Sequence, residues 1–360
     1  MTYPQEWDTQ EWDAAQVGFG PGVRALIEEA LVPVPGPGSE GGPGHGPEAG
    51  PGPGPEAGPG PGSEAGPGYG PGPAAGSFLV RSGTYVVDPP FFGNGDIGRV
   101  AVCGAVNELA ATGADVRHLA LGIVLEAGLP VDLVHRLTAS VRGAAAEAGV
   151  TIAAVDTQVV RAGEADRVFV TATAFGVPGG PPLELGSVRP GDRIVVTGPL
   201  GSHAAHLVSL RDGLGYEHHV PSDCAPLGDL LRTVRPHLRH ARTVAAGGLA
   251  EVLRRCAAAR GLTLRVEEAA LPVRYEARPA LAARGLAPLD AACAGCLCLF
   301  VPPERTAPVL AALRAHPYGR HAAVVGEVTP DPSGDVEFLA PDGRLHTRTV
   351  PSGSVPERLL

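Results

Sequence analysis

Hydrophobic and polar positions along this chain fall into two patterned regions that follow a long patternless one. Residues 78–87, a β-rich run, read as a strand that leads through a Pro/Gly turn to an almost uncharged helix at 99–111. A strand follows at 119–125. Val134, Leu137, Val141, Ala144, Ala145 and Ala148 recur at helical spacing, which predicts a helix over 131–148 that Gly149 stops. Residues 151–155 read as a strand ending at Asp156-Thr157, and 168–175 alternates like a half-buried strand. Val177-Pro178-Gly179-Gly180-Pro181-Pro182 reads as a linker. Beyond it, strands at 193–197, 297–301 and 322–328 interleave with helices near 203–211, 227–237, 249–260 and 304–316. Pro341-Asp342-Gly343-Arg344 suits a hairpin turn between 336–339 and 345–350. The pattern predicts an α/β or α+β chain with compact domains over 77–177 and 178–360.

The patternless part is 33–76, nearly all Gly, Pro, Ala, Ser and Glu. Glu-Ala-Gly-Pro-Gly-Pro recurs at Glu48 and Glu56, with a variant at Glu64. Glycine falls mostly at every second position, whereas collagen needs every third. Such a segment buries too little apolar surface to offset chain entropy and is expected to be a disordered insert. It separates the domains from residues 1–32, a Gly-rich turn leading into a short helix at 24–31.

Composition narrows the function. Of 360 residues 44% are hydrophobic, ample for two cores, yet no apolar run reaches the roughly 20 residues that cross a bilayer. The N-terminal residues lack the basic and apolar regions of a signal peptide, so the expected location is the cytoplasm, without membrane association. A net charge of −10 argues against a nucleic-acid surface. All 28 basic residues are arginine. A phosphate-loop lysine, a pyridoxal Schiff base and a lysine general base are therefore excluded.

The candidate chemistry is carried by a few polar groups. Val17-Gly18-Phe19-Gly20-Pro21-Gly22 offers a weak phosphate loop, since Pro21 removes a donor. Asp96 lies in a Pro/Gly turn, Asn107-Glu108 sits on the apolar helix, and Asp156-Thr157 ends a strand. The carboxylates of Asp96, Glu108 and Asp156 are hard oxygen ligands suited to magnesium on nucleotide phosphates, although capping would serve Asp96 and Asp156 equally. Ser222 or Asp223 reads as a helix N-cap, and Gly247-Gly248 as the start of another helix. Six cysteines in a cytosolic chain are not a disulfide framework. Cys293, Cys296 and Cys298 cluster, with Cys296 and Cys298 on one strand face, away from Leu297 and Leu299; they read as small buried hydrophobes in preference to a metal site.

Several motifs carry a resemblance. Phe91-Phe92, Gly95-Asp96-Ile97-Gly98, Ala101-Val102-Cys103-Gly104 with Val106-Asn107, Asp156-Thr157 with Val159-Val160, and Ser222-Asp223-Cys224-Ala225-Pro226-Leu227 are collinear with Gly247-Gly248-Leu249-Ala250, Leu271-Pro272-Val273-Arg274, Ala315-His316-Pro317 and Gly326-Glu327-Val328. Together they closely resemble the hydrogenase maturation protein family HypE, carbamoyl dehydratases of the PurM-like, AIR synthase-related superfamily. The resemblance implies a two-domain fold whose N-terminal sheet pairs with a second copy as a dimeric barrel. It also implies ATP with Mg2+ at Asp96, Asn107, Glu108, Asp156, Thr157, Gly247 and Gly248, and dehydration of a carbamoylated C-terminal cysteine to a thiocyanate for the cyanide ligands of a nickel-iron centre. The implied partners are the maturation carbamoyltransferase and the iron-scaffold proteins.

The chain departs from that pattern where chemistry is concentrated. The family ends in Pro-Arg-Ile-Cys; here the end is Glu357-Arg358-Leu359-Leu360, so Leu360 replaces the reactive thiol. Gly83 stands for the family's early acid, Gln158 for its lysine, Glu108 for an aspartate, Thr243-Val244-Ala245-Ala246 for Asp-Pro-Thr-Arg, and Cys293-Ala294-Gly295 for Asn-Glu-Gly. The expected reading is a catalytically impaired relative, a scaffold or regulatory pseudoenzyme of the pathway, with another ATP-using superfamily activity as the alternative.

Overall fold

The computed structural model describes residues 26–27, 30–31, 78–347 and 358–359. The Gly-rich loop at 18–22, the insert at 33–76 and Leu360 lie outside the described residues.

The N-terminal sheet has the order β1-β6-β4-β5, built from β1 (Leu79–Tyr85), β4 (Ala114–Glu126), β5 (Thr151–Val160) and β6 (Val168–Pro178). β4 and β5 are parallel, which requires a crossover, and α2 (Val131–Ala148) supplies it. Gly149 closes α2 in the left-handed conformation, as its position predicted. A two-residue hairpin, β2 (Phe91–Phe92) and β3 (Gly95–Asp96), feeds α1 (Ile97–Ala110). α1 packs on β1, β4 and β6 and against α2, so both helices cover one sheet face. Ile27 and Leu31 join that core.

The opposite face, carrying Ser82, Thr84, Gly122, Val124, Thr171 and Thr173, is covered by no described helix. Its hydroxyls pair across strands, Ser82 with Thr173 at 2.9 Å and Thr84 with Thr171 at 3.3 Å.

The second domain is a seven-stranded sheet, β13-β12-β9-β11-β7-β10-β8. Its strands are β7 (Arg193–Val196), β8 (His240–Thr243), β9 (Leu264–Glu267), β10 (Leu297–Val301), β11 (Ala323–Val328), β12 (Val336–Leu339) and β13 (Leu345–Thr347). The helices are α3 (Ser202–Asp212), α4 (Gly228–Val234), α5 (Gly248–Arg260), α6 (Ala277–Ala282) and α7 (Thr306–Ala315). Every residue of β10 is buried. Cys298 and Phe300 enter one core with Cys293 and Cys296, while Leu297, Leu299 and Val301 enter another, which is the alternation expected for the cysteine face.

Two local expectations are corrected. β5 continues to Val160, because its ladder with β4 runs through Gly122–Asp156 and Ile123–Thr157 to the end of β4. Asp156-Thr157 therefore lies within an edge strand and does not end one. The helix expected over 227–237 is α4 followed by a 3-10 turn at Arg235–His237, where Pro236 has no N–H to continue the ladder. Among the described residues no helix is long and apolar enough to cross a membrane.

Candidate functional site

The hairpin delivers Asp96 to the first turn of α1, where its extended backbone lets the carboxylate accept from the Arg99 N–H at 3.0 Å. The side chain is buried, and burial pushes its pKa up against the opposing influence of the Arg99 amide, Ser140 and the Arg136 charge. Asp96 thus serves its own helix terminus.

Asn107 lies on the domain seam and is also buried. Its Nδ2 donates to the Ala225 carbonyl at 2.9 Å, and its Oδ1 accepts from the Leu227 N–H at 2.6 Å. One amide thereby clamps α1 to the segment that precedes α4. Glu108 beside it is half-buried; burial raises its pKa, and the charges of Arg81 on β1 and Arg242 on β8 counter that rise.

The carboxylates expected to share an ion are not gathered within one chain. Asp96 and Glu108 are about three turns apart on one helix, roughly 18 Å of rise. Thr157 is buried on the helix-covered face of β5, so pleat alternation sends the exposed Asp156 to the bare face. The Thr157 hydroxyl has no hydrogen-bond partner among the described residues. Those residues contain no group of three His, Cys, Asp or Glu side chains arranged to hold a metal.

Gly247 and Gly248 open α5, both at positive φ (80° and 65°). The backbone of Leu289–Ala291 runs against the Gly248 Cα, where any side chain would collide with it. The Gly248 N–H is used on the Ala245 carbonyl at 3.0 Å. The pair meets a demand for close backbone approach.

The site that sequence reasoning missed is a cleft of about 310 Å³ between the domains, lined by Asn94 of the hairpin, Arg99, Asp223, Cys224 and Tyr318. Ser222 and Asp223 are not caps. α4 begins six residues later with Leu227 at its N-cap and no side-chain cap bond. Asn94 instead exchanges two hydrogen bonds with the Ser222 backbone, at 2.8 and 3.0 Å. The Asp223 carboxylate accepts from the amides of Ala294 and Gly295 at 3.1 and 3.2 Å. Desolvation outweighs those amides and pushes its pKa up to about 6. The polar turn was visible in the sequence; the distant amides that Asp223 serves were not.

Behind the cleft, His203 of α3 is wholly buried. Its Nε2 bonds the Leu359 carbonyl at 2.7 Å, which fixes that nitrogen as the donor and leaves Nδ1 to accept from the Ser222 hydroxyl at 2.7 Å. Burial pushes the ring pKa down to about 4, so it is neutral at pH 7. An unfolded chain protonates this histidine first on acidification, so its contribution to stability falls as the pH drops from the ordinary imidazole range toward about 4. Leu359 inserts its side chain into the N-terminal core, and the Asp88 N–H holds the Arg358 carbonyl at 2.9 Å. The C-terminal segment is thus docked at the domain seam, its carbonyl linked through His203 and Ser222 to the cleft. Nothing among twelve scattered histidines singled out this one.

Comparison with known proteins places this geometry in a family. Residues 74–178 match the N-terminal domain of AIR synthase related protein, and residues 189–338 match its C-terminal domain. The chain is 40% identical over 272 residues to the carbamoyl dehydratase HypE of Azotobacter vinelandii, covering 74% of this chain and 80% of the relative. A crystal structure of the hydrogenase maturation protein HypE in complex with ATP superposes with a TM-score of 0.73 at 35% identity, over 78% of this chain and 88% of that one. A chain of a HypE–HypF complex gives 0.73 at 30% identity, over 76% and 91%. With the family's two domains spanning most of its described residues and its motifs in order, this chain belongs to the AIR synthase related family as a hydrogenase maturation protein of the HypE type.

Proposed function

We propose that this chain keeps the HypE architecture and its place in hydrogenase maturation but has lost the dehydratase chemistry, acting as a scaffold or regulatory member of the machinery. The observation that carries this reading is the loss of charge inside the chain, with Gln158 in place of the family's lysine and Ala294 in place of the glutamate of its Asn-Glu-Gly.

The groups available for magnesium and ATP support the same reading. Within one chain they do not fit: Asp96 caps α1, Asn107 is spent on Ala225 and Leu227, and Asp156 faces away from the helices. Gln158 cannot supply the charge of the family's lysine, and Ala294 cannot supply the carboxylate of its Asn-Glu-Gly. No step through ATP follows from these residues. The partner that fits is a HypF-type carbamoyltransferase, since a HypE chain with this fold is found in complex with HypF.

Incubation with a HypF-type carbamoyltransferase, carbamoyl phosphate and ATP is expected to leave the intact mass unchanged. A dehydrated adduct on the unmodified chain, at any cysteine, overturns the proposal.

The chain is also proposed to form a homodimer through the bare face of the N-terminal sheet. Support comes from Val80, 42% exposed on that face, and from the lack of any described helix over it. Val124→Glu places a charge among these neighbours and is expected to shift the sedimenting species from dimer to monomer while leaving the far-UV spectrum intact. A wild-type monomer at tens of micromolar, or an unshifted dimer in the variant, contradicts this assignment.

A further inference from the structure

Among the residues that line the cleft between the domains, the cation is Arg99. Its guanidinium is fixed at two points, with Nε donating to the Cys224 carbonyl at 3.1 Å and Nη1 donating to the Glu147 carboxylate at 2.8 Å. The other Glu147 oxygen accepts from the Tyr318 hydroxyl, carried on a 3-10 turn (Pro317–Gly319) of the second domain. A guanidinium and a phenol thus receive one carboxylate at the cleft. Asp223, the other carboxyl there, is spent on the amides of Ala294 and Gly295 and leaves Arg99 to Glu147.

Glu147 is a displaceable occupant. It is the penultimate residue of α2, whose last turn holds no basic residue, so its charge meets the unfavourable negative end of the helix dipole. Against the upward push of burial, the bonds from Arg99 and Tyr318 hold its pKa below the ordinary glutamate value. It is therefore ionised at neutral pH. Its side chain is 33% exposed against 21% for Arg99, so Glu147 can turn into solvent while Arg99 stays tied to Cys224. The cleft behind the pair, about 310 Å³, is at the lower end of the range for small-molecule sites.

We propose that this cleft binds a small organic carboxylate, which takes the place of Glu147 on Arg99. The incoming carboxylate accepts from Arg99 Nη1, and its body fills the space along Asn94, Cys224 and Ala225. Glu147 turns outward. Because the Tyr318–Glu147 bond joins the two domains, its release on exchange loosens this end of the seam. The site is independent of whether ATP binds.

The test titrates the full chain with glutarate by calorimetry at neutral pH and constant ionic strength, beside Glu147→Gln and the double variant Glu147→Gln/Arg99→Met. Glutarate should bind Glu147→Gln about fivefold more tightly than wild type, the factor set by loss of a partly exposed ion pair. The double variant, its fold checked by far-UV spectrum and melting temperature, should give no saturable heat. Inorganic phosphate is the second probe. Equal affinity of wild type and Glu147→Gln for glutarate, or glutarate binding that survives in the double variant, overturns the proposal. So does the absence of saturable glutarate binding to Glu147→Gln at tens of millimolar, and phosphate binding in that case assigns Arg99 to a phosphoryl ligand instead.

Discussion

Asn107→Leu is expected to lower the free energy of unfolding by about 2–6 kcal/mol, seen as a lower urea midpoint at unchanged slope. Leucine matches the shape of asparagine, so packing is little disturbed. What is lost is the pairing of two buried backbone groups, the Ala225 carbonyl and the Leu227 N–H, each costing about 1–3 kcal/mol when left without a partner. Both groups belong to the second domain, whereas Asn107 belongs to the first. The variant should therefore also loosen the seam, with faster amide exchange at Leu227. A loss below about 1 kcal/mol would mean that the segment finds other partners and that Asn107 is free for another role.

The second large effect is expected at Gly295. A Cβ there would lie inside the contact distance of the Asp223 carbonyl oxygen and press on the Ala225 amide. Both neighbours are backbone, so neither can swing aside. Gly295→Ala must move the turn away from Asp223, which strips two amides from a buried carboxylate and shifts Cys293 from the end of α3. The expected loss is at least about 3 kcal/mol, the sum expected for backbone displacement and partly unpaired buried charge. Gly143→Ala on the exposed side of α2 is the control: nothing lies within reach of its Cβ, and a helix interior favours alanine. If the two variants melt alike, the close approach at Gly295 is not real.

These two residues also show what the sequence could and could not reveal. Long periodic elements were legible: the helix expected at 131–148 is α2, and the strand at 297–301 is β10. β8 and β9 went unread although β7 and β12, of the same four-residue length, were read, and the two-residue hairpin carries too little pattern to register. The Asn107-Glu108 pair was conspicuous because polar groups on an apolar helix demand partners. Which partners they meet was illegible, since Ala225, Leu227 and Arg242 are brought there by the second domain. Asp156 illustrates the same limit from the other side. Its position in the chain suggested a strand end, and only the ladder with β4 shows it mid-strand on the bare face. His203 carried no local signal at all, because its function is defined by Leu359, at the far end of the chain.

On the proposed reading, this HypE-type architecture no longer supports ATP-dependent dehydration. Isothermal titration of the purified full chain with magnesium-ATP tests it most directly. The expected result is no heat beyond dilution at protein concentrations of tens of micromolar, with no nucleotide-dependent gain in melting temperature. Saturable binding of one nucleotide per chain with a micromolar dissociation constant would contradict it.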